Sequence, residues 1–223
     1  MSKPALERCF EKDSFEVLNN IDYHMLDRAF TFYNNSFLWN SDSVYFDVGC
    51  NAGSFVKLLK NKGITTNVHC FEPHPVISKK TKEVYPYIVM NECCLSNLNG
   101  MIDIYIPMWS SGLPSVINRP VFKQLNQEIT KLNVRTTTID SYCLENNIKN
   151  IDFIKIDVEG AEKLVLEGAY NMLKNRKIKC GIFEIGSTLE DAGTSADEIC
   201  NFLKNFGYKL NKQISYSDIL FYL

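Results

Sequence analysis

Long hydrophobic runs are missing: nothing in the 223 residues reaches the ~20 consecutive apolar positions that a membrane-spanning helix needs. Histidine is scarce, at three, and none of the eight cysteines stands in a C-x-x-C pair, so a zinc site has no framework. Charge of one sign is lacking as well; a net charge of -2 argues against nucleic acid held by bulk electrostatics. The first residues include Lys3, Glu7, Arg8, Glu11, Lys12 and Asp13 where a signal peptide would carry apolar residues. A cytoplasmic protein with reduced, mostly buried cysteines is therefore expected. Low-complexity linkers and internal repeats are also absent, so residues 1–223 read as one domain, with 1–43 a helical extension and 44–223 the core.

What is present begins at Val44-Tyr45-Phe46-Asp47-Val48-Gly49-Cys50-Asn51-Ala52-Gly53. An apolar run reaches an acid and two glycines, and helical spacing (Phe55, Leu58, Leu59, Lys62) follows directly. This is the strand, turn and helix start of a doubly wound α/β fold. The spacing is D-x-G-x-x-x-G, not the G-x-G-x-x-G of a dinucleotide site. Gly49 and Gly53 are expected to let a ligand lie against the main chain. Asp47 would repel a pyrophosphate but suits a cation or hydroxyls. The next strand, Asn67–Phe71, ends on Glu72, placed to take both hydroxyls of a ribose. Aspartate, glycine pair and glutamate together describe a pocket for S-adenosylmethionine, which is cationic at sulfur and has no phosphate.

Along the chain, a helix is expected over roughly 14–34, with packing on the sheet its plainest role. Pro73-His74-Pro75 stops the second strand, and His74 reads as a turn residue. Tyr87–Met90 reads as the third strand; in such folds the loop after it borders the adenine, which makes Asn91, Glu92 and Cys93 candidates. Met101–Ile106 alternates as an extra strand, and the irregular 107–115 carries Trp109 among small polar groups. Phe122, Leu125, Ile129 and Leu132 suggest an amphipathic helix before a strand over Val134–Thr138, after which Asp140 would cap a short helix. Ile151–Asp157, the second anchor of the chain, is again a strand ending on an acid, followed by a helix from Ala161 to about Leu173. Cys180–Glu184 is its neighbour, a helix covers about 195–206, and Tyr208–Leu210 with Ile219–Tyr222 fits an antiparallel edge hairpin.

Four segments resemble the FkbM-type methyltransferases in order and spacing. They are Phe46–Gly53, Phe71–Pro75, Thr138–Tyr142 and Ile154–Glu162 with its Lys155-Ile156-Asp157-Val158-Glu159-Gly160 run, within about residues 44–185. The last is the most specific, and Cys50 replaces the alanine usual in the glycine loop. The resemblance implies a class I methyltransferase fold: a Rossmann-like, mostly parallel seven-stranded sheet with an antiparallel edge hairpin. It also implies methyl transfer from S-adenosylmethionine to an oxygen, often a hydroxyl on a sugar or small natural product. Segment 107–133 matches no family pattern, so the acceptor stays open.

Methyl transfer asks chiefly for alignment, plus removal of the acceptor proton. Asp157 is the first candidate for that, with Glu159 and Glu184 next. The cofactor-binding candidates are Asp47, Gly49, Asn51, Gly53, Glu72, Pro73, Asn91, Cys93 and Asp157. No spacing compels a metal, and metal-independent action is the expectation. Two other readings compete: a nicotinamide-dependent oxidoreductase, and a nucleoside-binding domain without turnover. The expected partner is a small-molecule or glycan acceptor, with no nucleic acid and no membrane, and the oligomeric state is open.

Overall fold

The computed structural model describes residues 42–107, 114–120, 129–213 and 216–223, with Asp27, Arg28 and Thr31. Asp27, Arg28 and Thr31 are helical, and the rest of the expected N-terminal helix, like Trp109, lies outside these residues. At the centre is β1 (Tyr45–Val48), buried along its whole length. It pairs in parallel with β2 (Val68–Phe71) on one side and β7 (Ile151–Ile156) on the other. The sheet continues through β3 (Val89–Asn91) beyond β2, and through β8 (Ile178–Glu184), β10 (Asp218–Tyr222) and β9 (Lys209–Asn211) beyond β7. The order β3-β2-β1-β7-β8-β10-β9 is parallel except at β10, which runs antiparallel to β8 and β9. Strand order turns back between β1 and β7, so their carboxyl ends open the crevice where such sheets take ligands.

Helices cover both faces. On one side α1 (Ser54–Asn61) buries Phe55, Val56, Leu58 and Leu59 against Tyr45, Phe153 and Ile182. On the other, α3 (Ile139–Glu145), α4 (Glu162–Glu167), α5 (Tyr170–Lys174) and α7 (Ala196–Asn205) close over Phe46, Phe71, Ile154 and Phe183. Each fully buried phenylalanine contributes about 2–3 kcal/mol. The other helices are α2 (Pro75–Val84) and α6 (Ser187–Asp191). A small second sheet joins β4 (Cys94–Leu95), β6 (Ile129–Thr137) and β5 (Gly100–Pro107) around Ile104, Ile106 and Val134.

Several sequence expectations change. Ile129 and Leu132 are not helical: they belong to β6, which runs antiparallel beside β5 from Ile129, while 121–128 lie outside the described residues. Apolar residues three apart satisfy a helix stripe, but pairing with the neighbouring strand decided the outcome. The third strand starts later, at Val89, and takes in Asn91. The helix expected over 161–173 is two, broken at Gly168, where a side chain would meet the Ser96 carbonyl oxygen at 2.0 Å. Asp140 does not cap its own helix. Thr138 does that, accepting from Ser141 N–H, whereas Asp140 accepts from the N–H groups of Asn171 and Met172 at the start of α5. His74 is a turn residue as expected: it caps α2, its Nδ1 accepting from Val76 and Ile77 N–H. Cys50, Cys70, Cys180 and Cys200 are buried, and burial raises their thiol pKa.

Candidate active site

The carboxyl ends of β1, β2, β7 and β8 deliver four acids to one edge of the sheet: Asp47, Glu72, Asp157 and Glu184. Between two of them stands Lys155 of β7, whose side chain is 8% exposed. Its ammonium lies 3.1 Å from Asp157 Oδ2 and 3.5 Å from Asp47 Oδ1, and it donates to the Gly49 carbonyl at 3.2 Å. At 3.5 Å the Asp47 contact is an ion pair and not a hydrogen bond, and both Asp47 oxygens are buried without a hydrogen-bond partner among the described residues. Burial pushes Asp47 up to about 6, against the pull of Lys155. Burial works against charge on Lys155, but Asp157 and Asp47 outweigh it and hold the lysine protonated.

The glycine turn is built by packing within the protein. Gly49 (φ 75°), Asn51 (φ 44°) and Gly53 (φ 81°) all take left-handed backbone. A Cβ on Gly49 would fall 1.8 Å from the Asp157 carbonyl oxygen, and one on Gly53 would fall 2.8 Å from the Tyr85 ring. Each glycine therefore serves a close approach to another part of the chain. Thr81 Oγ1 donates to the Asn51 carbonyl, and Asn51 Oδ1 is buried with no hydrogen-bond partner among the described residues. Glu72 braces the same turn: Oε2 accepts from Asn51 N–H at 3.0 Å and Oε1 from His74 N–H at 2.9 Å. Burial pushes its carboxyl up to about 7 despite those two bonds. Pro73 is half-buried beside it.

Asn91 and Cys93 sit further round, at the end of β3. The Asn91 amide donates to the Cys70 and Val89 carbonyls and to the Tyr142 hydroxyl. Cys93 is fully buried, with Arg135 Nη2 donating to its sulfur at 3.8 Å. Glu92 is exposed and accepts from Ser78 Oγ.

Past β7 the turn 157–160 carries Glu159 in left-handed backbone (φ 54°). Three contacts hold it there. Ser115 Oγ donates to the Glu159 carbonyl at 2.7 Å, Arg119 Nη1 lies 3.2 Å from Glu159 Oε2, and Glu162 Oε1 accepts from Val158 and Gly160 N–H. Arg119 also donates through Nε to Asp191 of α6 at 3.0 Å, tying segment 114–120 to that helix. Asp157, Glu159 and Glu184 converge: one carboxylate oxygen of each lies within 4.8 Å of the others. Burial and the charge of Asp157 push Glu159 up to about 8, with Arg119 opposing, and raise Glu184 as well.

Sequence reasoning missed Lys155 and Arg119 as members of this site. Lys155 left a signal, the one cation in a strand that is apolar apart from it and Asp152, which a buried position tolerates only beside acids. Arg119 left none, because its partners are brought to it from 40 and 72 residues away.

The sequence profile of the methyltransferase FkbM domain matches residues 47–210. The chain is 30% identical over 151 residues to the 2-O-methyltransferase NoeI of Sinorhizobium fredii, covering 62% of each protein. It is 26% identical over 145 residues to Methyltransferase 1 of Beauveria bassiana, covering 57% of this chain and 58% of that one. It therefore spans about three fifths of the length of the curated relatives it matches. A crystal structure of a SAM dependent methyltransferase from Aquifex aeolicus aligns at a TM-score of 0.49 and 13% identity, over 96% of this chain and 97% of that one.

Proposed function

This chain belongs to the FkbM methyltransferase family, and from that premise we propose that it transfers a methyl group from S-adenosylmethionine to a hydroxyl of a sugar, a glycan or a small natural product. The observation that carries the reading is the convergence of Asp47, Glu72 and Asp157 at the switch point, with Lys155 between two of them. The donor set fits the cofactor. Buried carboxylate oxygens with no hydrogen-bond partner, as on Asp47, attract a sulfonium or ammonium and repel a pyrophosphate. The same point weighs against a nicotinamide cofactor. An oxygen acceptor is supported by the similarity to a 2-O-methyltransferase of Sinorhizobium fredii.

When bound, S-adenosylmethionine supplies a methyl carbon already activated by its sulfonium. The protein's share is to align the acceptor and manage its proton. Each Glu72 oxygen takes one backbone N–H and keeps a lone pair for a ribose hydroxyl, and those added donors favour the charged form that burial resists. Asn51, Gly49, Gly53 and Pro73 shape the wall around it, and Asn91 and Cys93 are assigned to the adenine side. Asp157 uses Oδ2 on Lys155 and keeps Oδ1 to hold the acceptor hydroxyl and take its proton. Glu159 and Glu184 flank Asp157 at the acceptor side.

Calorimetry with S-adenosylmethionine, S-adenosylhomocysteine and NAD, followed by transfer of labelled methyl to a panel of hydroxylated sugars, tests this. Binding of the first two but not NAD, with label in an acceptor, is the expected result. NAD binding in their place overturns the cofactor assignment. Binding with no transfer to any acceptor favours the non-catalytic nucleoside-binding domain.

A further inference from the structure

The acids at this edge outnumber the cations that face them. Asp157, Glu159, Glu162 and Glu184 stand against Lys155 and Arg119, and Lys155 is shared with Asp47 while Arg119 is shared with Asp191. Hydrogen bonds and ion pairs occupy Oδ2 of Asp157 and Oε2 of Glu159, which leaves Oδ1 and Oε1, and Glu184 Oε2 is buried with no partner among the described residues. An independent side chain points the same way. Glu162 is fully buried and turns back into the 157–160 turn, its Oε1 held by Val158 and Gly160 N–H, while its Oε2 is buried and unpartnered. An unpartnered buried carboxylate oxygen beside three other acids needs a proton or a cation.

We propose that Asp157, Glu159 and Glu184 bind one hard divalent cation of the magnesium, manganese or calcium class, with the Glu162 carboxylate as buried counter-charge beneath it. Geometry agrees. Oxygens on one such ion stand at most about 4–5 Å apart, twice the metal–oxygen distance, and the three ligand atoms lie within 4.8 Å. The donor set is all oxygen, without the imidazole or thiolate that would select zinc or copper. The ligands come from rigid places: the ends of adjacent strands β7 and β8, and a turn pinned by Ser115, Arg119 and Glu162. Resting on the reading above, the cation would take over from Asp157 Oδ1 as the group that holds the acceptor hydroxyl, and would lower its pKa.

The test needs neither methyl donor nor acceptor. The full chain, stripped with EDTA, is titrated with manganese, and free manganese is read by electron paramagnetic resonance, with magnesium and calcium as competitors. One saturable site per chain is expected. Glu184→Gln should weaken it at least tenfold, while Glu198→Gln, an exposed acid paired with Lys163, should not. Thermal melts keep the result interpretable: Glu184→Gln relieves repulsion, so its metal-free midpoint should rise while the metal-induced rise disappears. No saturable site at millimolar manganese, or undiminished binding in a folded Glu184→Gln, overturns the proposal. Binding with no methyl transfer in any condition would leave the cation site standing and remove only its catalytic use.

Discussion

Lys155 stands 3.5 Å from the fully buried carboxylate of Asp47, on the strand directly beside it. This pair is the electrostatic centre of the crevice. Removing one member of a buried pair leaves the other uncompensated and costs about 3–5 kcal/mol, and the 40% exposure of Asp157 places Lys155→Met at about 3 kcal/mol. Urea unfolding should show the loss, and Asp47→Asn in the same chain should restore at least half. Because the stranded Asp47 can take up a proton, the loss should be smaller at pH 5 than at pH 8. A double variant no more stable than Lys155→Met would show that Asp47 is not the residue being compensated.

Gly49→Ala should destabilise by about 3 kcal/mol or more, through left-handed strain and overlap with the Asp157 carbonyl. Gly63 is the control: its φ is 79°, but nothing lies within 4 Å of its Cβ position, so Gly63→Ala should cost only about 1 kcal/mol. Equal losses at the two sites would assign the whole effect to backbone conformation.

Stability should fall as pH rises through the range of the buried acids. Burial lifts Glu162 from 4.5 to about 6. Between those values the folded state holds a proton that the unfolded state has lost, so its contribution is complete below pH 4.5 and gone above about 6. The difference corresponds to about 2 kcal/mol. Glu162→Gln keeps an acceptor for Val158 and Gly160 N–H without the charge. Its melting midpoint should exceed the wild type by about 4–8 °C at pH 8 and by nearly nothing at pH 4.5. A pH-independent difference would show that the Glu162 charge is not the cause.

Asp157→Asn retains the side-chain shape and removes the charge. It should bind S-adenosylhomocysteine nearly as the wild type does and lose roughly a hundredfold in turnover. Wild-type turnover in that variant would take Asp157 out of the transfer step.

Chain-local chemistry accounts for what could be read early. The acid-glycine turn after β1, Glu72 after β2, and Asp157 and Glu184 at two later strand ends follow from short-range pattern, because a strand's last residue lies at the sheet's edge wherever the strand goes. Register was less legible. Ile129 and Leu132 carry a helix-like spacing, and only pairing with β5 makes them strand.

The sequence alone therefore determined the kind of sheet, the acids at its open edge and the family of the chain, all properties of residues within one turn or strand. Tertiary structure decided what those residues do to one another. It placed Lys155 between Asp47 and Asp157, set Gly49 against the Asp157 backbone, latched Arg119 onto Glu159 and Asp191, and drew three carboxylates within 4.8 Å. Charge interactions act through space at a few ångströms, and which side chains come that close depends on strand order and loop closure, not on distance along the chain.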